Sequence, residues 1–331
     1  MPATMHAVRL HAQGGPEVLV YEEIARPEPG PGEVLVRVHA AGMNPPDWYA
    51  RKGFADIPEG MRPEVPLPFT PGTDVSGVVA ALGPGVTEWQ VGDEVFGLLR
   101  FPSLDARAYA EYTTAPVADL ARKPASADHL QAAGVPMAGL TAYQFLFDYI
   151  KLEPGSRVLV NGAAGGVGHF AVQLAVDAGC HVIGVASGRH EAFLKDLGVA
   201  EFVDYTRAAA GEVVRDVDYV LDGVGGPEAY RLLPAIRDGG VYSPVFLGQY
   251  GEEEMARRGI EKRGGQVRSD GAQLAELARL MDEGRLRVGI DSVFPLRDAA
   301  RAHERAEQGH IQGKIVLQVT AQAGLPLAFR R

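Results

Sequence analysis

Short runs of alternating apolar and polar residues fill the first third of the chain and predict β-strands. The runs cover Val18 to Ile24, Glu33 to Ala40, Val75 to Leu82 and Asp93 to Leu99. Prolines and glycines between positions 27 and 32 separate the first two runs and predict a turn. We therefore expect a compact β-rich domain at residues 1–126.

Longer helical patterns alternate with short apolar strands from about Ser126 onward. The predicted strands are Arg157 to Val160, His181 to Ala186, Tyr219 to Asp222 and Val241 to Phe246. The predicted helices are Asp128 to Ala133, Leu140 to Tyr149, Gly168 to Ala178, His190 to Leu197 and Glu228 to Ile236. This alternation is typical of a parallel sheet with helices on both faces. We expect a doubly wound α/β domain at residues 127–268.

Composition excludes several classes of protein. The 331 residues include one cysteine, Cys180, so an internal disulfide and a multi-cysteine metal site are excluded. The formal charge of -10 disfavours binding to nucleic acid and to anionic membranes. No apolar run approaches the ~20 residues of a membrane span, and the first residues lack the pattern of a signal peptide. We expect a soluble, cytoplasmic protein.

A glycine-rich turn lies between a predicted strand and the helix that follows it. In the segment Asn161-Gly162-Ala163-Ala164-Gly165-Gly166-Val167-Gly168 the pattern G-x-G-x-x-G falls on Ala163, Gly165 and Gly168, with alanine in place of the first glycine. The pattern is typical of dinucleotide binding, because glycine lets the backbone approach a pyrophosphate. The first helical amides, including those of Gly166 and Val167, are expected to face its negative charge.

The turn after the second strand of this domain indicates which dinucleotide is bound. An NAD site normally has an acidic residue there, whereas this chain has Ser187-Gly188-Arg189-His190. A 2′-phosphate suits this turn, since Arg189 can pair with it and Ser187 can donate a hydrogen bond. The sequence therefore favours NADPH. The alternative is that Arg189 is a solvated surface charge.

Several ordered motifs resemble the medium-chain dehydrogenase/reductase superfamily, in its zinc-free quinone oxidoreductase (zeta-crystallin-like) branch. The resemblance spans nearly the whole chain and rests on the glycine turn together with GPGEVLV at 30–36, AGMNPPD at 41–47, PGTDVSG at 71–77, VGDEVFG at 91–97, GLTAY at 139–143 and GKIVL at 313–317. It implies a GroES-like substrate-binding domain built from both chain ends, 1–126 and 269–331, with a Rossmann domain inserted between them. It also implies a homodimer that pairs through an edge strand near Gln266 to Arg268.

The zinc ligands of related alcohol dehydrogenases are missing from the corresponding positions. Cysteine or histidine would be expected near Met43, Thr73 and Thr141, and the four-cysteine structural loop is also missing. No metal site is therefore expected. Without a metal to stabilise an alkoxide, alcohol oxidation is disfavoured. Quinones and α,β-unsaturated carbonyls can accept hydride directly, because the product anion is stabilised. We expect hydride transfer from NADPH to such an acceptor.

The resemblance also implies roles for individual residues. Asn44 would lie beside the nicotinamide and the acceptor, and Tyr49 would line the substrate pocket. The remaining expected cofactor contacts are Thr141, Tyr205, Gly223, Val224, Val245, Phe246 and Lys314. Simpler interpretations stay open for two of these residues: Asn44 as a turn former before Pro45-Pro46, and Tyr49 as a packing residue. An enoyl-thioester reductase and a non-catalytic NADPH-binding structural protein are the alternative functions.

Overall fold

The computed structural model describes residues 3–55, 57, 59–103 and 105–320. Its strands are β1 (Thr4–Leu10), β2 (Leu19–Ala25), β3 (Glu33–Gly42), β4 (Asp74–Leu82), β5 (Glu94–Leu98), β6 (Tyr112–Pro116), β7 (Leu120–Arg122), β8 (Arg157–Asn161), β9 (His181–Ala186), β10 (Glu201–Asp204), β11 (Val217–Asp222), β12 (Ile236–Pro244), β13 (Glu261–Lys262), β14 (Ile290–Pro295) and β15 (Lys314–Gln318). Its α-helices are α1 (Pro45–Arg51), α2 (His129–Ala133), α3 (Pro136–Tyr143), α4 (Gly166–Asp177), α5 (Glu191–Asp196), α6 (Ala210–Val213), α7 (Glu252–Arg258), α8 (Gly271–Asp282) and α9 (Ala299–Glu307).

A parallel sheet with Rossmann strand order forms the middle of the chain. Among the described residues it has the order β10-β9-β8-β11-β12-β13, and every neighbouring pair is parallel. The order reverses between β8 and β11, next to the glycine-rich turn that follows β8. Such a reversal leaves a crevice at the carboxyl ends of the strands, where dinucleotides bind. The α/β fold class predicted from the alternating pattern is confirmed.

The β-rich domain combines strands from both ends of the chain. Its main sheet runs β14-β15-β3-β4-β5-β7, and β6 also pairs with β3. Strand β15 pairs antiparallel with β3, with Val316 opposite Gly42. Since β3 leads into α1 and β15 begins at Lys314, this pairing brings two distant segments with candidate site residues together.

Backbone chemistry corrects two local interpretations of the sequence and leaves a third prediction open. The Pro45-Pro46 pair begins α1 rather than a turn, because proline is tolerated in the first turn of a helix, where amide groups lack intrahelical partners. The helix predicted at Glu228 to Ile236 is a 3-10 helix at Ala229–Ala235, because Pro234 lies inside it and interrupts α-helical hydrogen bonding. Residues 266–268 lie outside the strands of this single chain, so the predicted dimer strand stays a prediction.

Separate clusters of buried apolar side chains pack against the sheets. The largest buried cluster joins the parallel sheet to α3, α4 and α8, and includes Phe145, Phe170 and Leu277. A second cluster fills the β-rich domain. Among the described residues no helix is long and apolar enough to cross a membrane.

Candidate active site

The glycine-rich turn is built around Gly162 rather than Ala163. Gly162 has φ +75°, a left-handed conformation that suits glycine, whereas Ala163 is fully buried and its amide donates to the Val185 carbonyl at 3.0 Å. The left-handed turn is therefore made by the residue before Ala163, and the expected contact of Ala163 with a cofactor stays a prediction. A Cβ on Gly168 would lie 2.2 Å from the Gly162 carbonyl oxygen, so this position requires glycine.

The first turn of α4 is suited to bind an anion. Its N-cap residue is Gly165, which has no side chain to cap the helix. The first amides of a helix lack intrahelical acceptors and carry partial positive charge, so Gly166, Val167 and Gly168 present donors to a phosphate. The structure thus places these three predicted residues together with Gly165 at the crevice beside β8.

His169 braces the turn, a role that the sequence analysis did not assign. The amide of Gly289 donates to His169 Nε2 at 3.2 Å, so Nδ1 carries the proton and donates to the Gly165 carbonyl at 2.9 Å. Burial lowers the pKa of His169 to about 4, which keeps the ring neutral. The Gly313 amide also donates to the Ala164 carbonyl at 2.8 Å. The C-terminal part of the chain therefore holds the turn in place.

Ser187, Arg189 and Tyr205 gather at the carboxyl ends of β9 and β10. The Ser187 hydroxyl oxygen is buried and has no hydrogen-bond partner among the described residues. The Arg189 guanidinium donates to the ring of His190 at 3.1 Å and to the His310 carbonyl at 2.8 Å, and within the described chain it pairs with no carboxylate. Tyr205 is about half exposed, at 48%. The cluster offers donors and positive charge to an anion.

Asp222, at the end of β11, organises the loop that borders the crevice on its other side. Its Oδ1 accepts hydrogen bonds from the Asn161 side chain at 2.8 Å and from the Val224 amide at 3.0 Å. The Val245 amide donates to the Asp222 carbonyl at 2.9 Å. Gly223 and Val224 are exposed in the resulting loop, with Val224 at 57%. The predicted residues after β11 and β12 therefore share one edge of the sheet with the glycine turn.

An aromatic pair joins the two domains at this edge. Tyr49 on α1 stacks against Phe246 after β12, with ring centroids 5.4 Å apart and an angle of 28° between the planes. Phe246 is 41% exposed, so part of its ring also faces solvent. Trp48 packs edge-on against Tyr49 and supports it from the β-rich domain. The pair presents flat apolar surface beside the cofactor crevice.

Asn44 and Lys314 belong to a buried polar network rather than to an open pocket. Their exposed fractions are 2% and 4%. Lys314 Nζ donates to the Met43 carbonyl at 2.8 Å and also to Asn44 Oδ1. Only the aliphatic stem of Lys314 borders the turn, since a Cβ on Gly166 would lie 3.3 Å from its Cδ. The expected contacts of Asn44 and Lys314 with cofactor or acceptor stay predictions, and the structure shows these two polar groups bonded to each other.

Two buried carboxyl groups complete this network, and sequence reasoning missed both. Both oxygens of Asp74 accept from the Met137 amide in the first turn of α3, at 3.0 and 3.1 Å, which links β4 to the Rossmann domain. Asp47 accepts from the Asn44 amide at 2.8 Å and from the Tyr109 hydroxyl at 3.1 Å. The available signal was their place in the motifs, since Asp47 ends AGMNPPD and Asp74 follows PGT.

Burial dominates the ionisation of this network. It raises the pKa of Asp47 to about 7 and that of Asp74 to about 6, although Lys314 acts in the opposite direction on both. Burial also lowers the pKa of Lys314, against the attraction of the two carboxyl groups. The three groups thus form one coupled site in which the ammonium is the nearest counter-ion of two carboxyls.

Thr141 lies in α3, where its hydroxyl donates to the Met137 carbonyl at 2.7 Å and its exposed fraction is 4%. Its expected contact with the nicotinamide end of the cofactor stays a prediction.

Among the residues that the structure describes, no group of three or more His, Cys, Asp or Glu side chains is arranged to hold a metal ion.

Comparison with known proteins identifies the family. The alcohol dehydrogenase GroES-like domain matches residues 30–125, and the zinc-binding dehydrogenase domain matches residues 197–317. A chloroplastic quinone-oxidoreductase homologue from Spinacia oleracea is 31% identical and covers 95% of this chain and 98% of its own. The chain belongs to the quinone oxidoreductase branch of the medium-chain dehydrogenase/reductase superfamily. It is an oxidoreductase of the nicotinamide-dependent family, and its substrate is a small molecule.

Other members of the family agree with this assignment. A trans-enoyl reductase from Aspergillus terreus is 34% identical to this oxidoreductase, over 88% of this chain and 87% of its own. The quinone oxidoreductase from Coxiella burnetii has a TM-score of 0.87 and 33% identity, covering 96% of this chain and all of the other. A mycobacterial protein solved with NADPH has a TM-score of 0.84 and 31% identity, covering 95% of this chain and all of the other.

The crevice of this oxidoreductase fits a dinucleotide. The uncapped start of α4 suits a pyrophosphate. At the end of β9 lie the Ser187 hydroxyl and the Arg189 guanidinium, and within the described chain the first has no hydrogen-bond partner and the second pairs with no carboxylate. The residues therefore fit a nicotinamide dinucleotide along this edge of the sheet.

Proposed function

We propose that this oxidoreductase is an NADPH-dependent reductase that transfers hydride to quinones or α,β-unsaturated carbonyls without zinc. The observation that carries the acceptor class is the Tyr49–Phe246 stack, which offers flat apolar surface to a planar acceptor beside the crevice. Met43, Thr73 and Thr141 stand where zinc-dependent relatives would carry ligands, and their side chains are not zinc ligands. The quinone oxidoreductases among its relatives support the same acceptor class.

The proposal of NADPH rests on the cluster at the ends of β9 and β10. Arg189 is held by the ring of His190 and by the His310 carbonyl, which leaves its charge available to a 2′-phosphate. Ser187 contributes a buried hydroxyl, and Tyr205 a half-exposed one. NADH has no group that would use this charge.

The chain's own residues supply position rather than acid-base chemistry in this proposal. When bound, NADPH supplies the hydride, and the acceptor gains one proton from water as its anion is neutralised. Asp47 is 3% exposed and its oxygens accept from the amides of Asn44 and Gly72, so it is a structural group rather than the proton donor. The Lys314–Asn44 contact fixes α1, and α1 carries Tyr49 towards Phe246. Holding the two reactants in the right orientation in a dry cleft can supply most of the reduction in the activation free energy of hydride transfer.

The function is tested by measuring NADPH consumption with a quinone, an enone and an enoyl thioester. A simple alcohol is tested separately, by measuring NADPH formation from NADP⁺. We expect turnover of the quinone or the enone, no alcohol oxidation, and activity that a metal chelator leaves unchanged. Activity that is lost together with one tightly bound zinc per chain would contradict the metal-free part. Alcohol oxidation as the fastest reaction would contradict the acceptor class.

Substitutions at Tyr49 test its assignment to packing against the acceptor. Tyr49→Phe keeps the ring and is expected to change quinone turnover little. Tyr49→Ala removes one wall of the cleft and misplaces the acceptor, where a displacement of about 1 Å can reduce the rate by about 100-fold. Steady-state turnover of both variants with one quinone and one enone measures this. A loss of about a thousandfold in Tyr49→Phe alone would instead identify the hydroxyl as a general acid.

An enoyl-thioester reductase is the second candidate. Its support is the similarity to the trans-enoyl reductase of Aspergillus terreus. The chemistry is the same, because an enoyl thioester is also an activated alkene that accepts hydride at its β-carbon. Preference for the thioester over the quinone in the same panel would favour this candidate.

We also propose that the oxidoreductase is a homodimer, by analogy with its family. The segment near Gln266 to Arg268 follows the edge strand β13 after a short connection and is anchored to the Rossmann domain, since the Arg268 amide donates to Gln144 Oε1 at 3.0 Å. A monomeric mass in light scattering at micromolar concentration would contradict this proposal.

A further inference from the structure

The loop between α9 and β15 reaches from the substrate-binding domain to the phosphate cluster of the Rossmann domain. We call residues 308–313 the 310 loop. The His310 carbonyl accepts from Arg189 Nη2 at 2.8 Å, and the His310 ring Nδ1 lies 3.4 Å from the Tyr205 hydroxyl. His310 thus contacts two of the residues assigned to the 2′-phosphate, although it lies on a different domain.

The same loop orients Arg189 through His190. An arginine can only donate, so His190 Nε2 accepts from Arg189 Nε at 3.1 Å. His190 Nδ1 therefore carries the proton and donates to Gln312 Oε1 at 2.9 Å. This chain of hydrogen bonds runs from the 310 loop to the guanidinium and holds it in one orientation.

The 310 loop is itself held by its own domain. Arg305 donates to the Gly309 carbonyl at 2.9 Å and to Asp291 Oδ1 at 2.7 Å, and the Gln312 amide donates to the same Asp291 oxygen at 3.2 Å. His310 has φ +52°, a left-handed conformation that is unfavourable for a residue with a Cβ. Backbone strain of this kind is concentrated at ligand-binding positions, and here the surrounding contacts maintain it.

An acidic side chain at the end of β10, beside this cluster, already has partners of its own. Asp204, at the end of β10, accepts from the Thr206 amide at 3.0 Å and from the Thr206 hydroxyl at 2.7 Å, and it pairs with Arg207 at 3.4 Å. Its carboxylate is therefore partly neutralised by its own neighbours. Arg189 and the imidazole of His310 are then the groups that an incoming phosphate meets together with Ser187 and Tyr205.

We propose that His310 is a further specificity-determining residue, and that the 2′-phosphate of the cofactor binds between the two domains. The imidazole would donate a hydrogen bond to the phosphate, beside the bidentate contact of Arg189. The inference rests on the proposed use of NADPH and extends it, because it makes the substrate-binding domain part of the site that distinguishes NADPH from NADH. The ligand class is a 2′-phosphorylated adenosine.

Calorimetric titration with adenosine 2′,5′-bisphosphate and with 5′-AMP tests this on the intact protein, without turnover. We expect the wild type to bind the bisphosphate more tightly than 5′-AMP. His310→Ala should weaken bisphosphate binding roughly threefold to tenfold and leave 5′-AMP binding within about twofold, the effect expected for one hydrogen bond to phosphate at a partly exposed site. His310→Lys should restore most of the lost affinity. His11→Ala is the matched control, because His11 follows β1, is exposed and pairs with Glu22. This variant should change the affinity for neither ligand.

The possible outcomes separate this inference from the proposed function. If the wild type prefers the bisphosphate and His310→Ala preserves that preference, the role of His310 is wrong and the use of NADPH stands. If the wild type does not distinguish the two ligands, the proposed use of NADPH fails and the inference fails with it. Equal losses for both ligands in His310→Ala would show that the residue acts on the adenosine or the fold, which also overturns the inference.

Discussion

We expect Lys314→Met to lower the free energy of unfolding by about 3–5 kcal/mol at about pH 8, the usual cost of removing one partner from a buried ionic group. Lys314 is the ammonium that acts on the buried carboxyls of Asp74 and Asp47. Methionine keeps most of the side-chain volume, so the loss reports mainly on charge and hydrogen bonding. Urea unfolding followed by circular dichroism measures it.

The pH dependence of this loss distinguishes charge from packing. Burial raises the folded-state pKa of Asp47 from 3.8 to about 7 and that of Asp74 from 3.8 to about 6. Between the unfolded and folded values the native protein binds more protons than the unfolded chain, so the contribution of these groups to stability falls as pH rises through that window. Without Lys314 both values rise further. The difference in the free energy of unfolding between wild type and Lys314→Met should therefore grow between about pH 5 and about pH 8.

Two further variants complete this test. Lys195→Met is the matched control, because Lys195 is exposed and pairs with Glu191 on the surface of α5, where loss of an ion pair costs at most about 0.5 kcal/mol. Asp74→Asn combined with Lys314→Met removes one of the carboxyls left without its counter-ion and should recover part of the stability. A loss for Lys314→Met that is the same at every pH would contradict the electrostatic explanation and point to packing.

We expect Arg189→Ala to weaken NADPH binding by about 10- to 150-fold, the value of a charge-assisted bidentate contact of roughly 1.5–3 kcal/mol. NADH binding should change little, since NADH has no 2′-phosphate. Fluorescence titration of both cofactors against the variant and the wild type measures the two affinities. Arg301→Ala removes a similar but remote exposed charge on α9 and should affect neither cofactor.

A thermal unfolding scan of Arg189→Ala is needed beside these titrations. Arg189 also contacts the His310 carbonyl and His190, so its loss can loosen the 310 loop. Unchanged thermal stability together with a loss confined to NADPH would support direct phosphate binding. Equal losses for NADPH and NADH would show that Arg189 acts on the fold or on the pyrophosphate instead.

Local patterns were sufficient for much of the fold and for one end of the site. Strand β9 has the predicted bounds, His181–Ala186, because a run of apolar residues between turn residues is a local signal. The turn at Ser187 to Arg189 was also readable, since it follows this strand directly. Strand β1 and helix α1 were missed: β1 is a half-buried strand that pairs with the mostly exposed β2, and α1 begins with two prolines that also suit a turn.

Chain periodicity and motif spacing thus determined the α/β class, the glycine-rich turn and the turn at Ser187 to Arg189. The tertiary structure alone decided which glycine makes the turn, because the left-handed φ of Gly162 accompanies the hydrogen bonds that its own amide and the Ala163 amide donate to the Val185 carbonyl. It also decided that Lys314 faces Asn44 and the buried carboxyls, through the pairing of β15 with β3. Periodicity reflects which face of an element is buried, whereas the partner of a buried charge depends on which distant segments pack together.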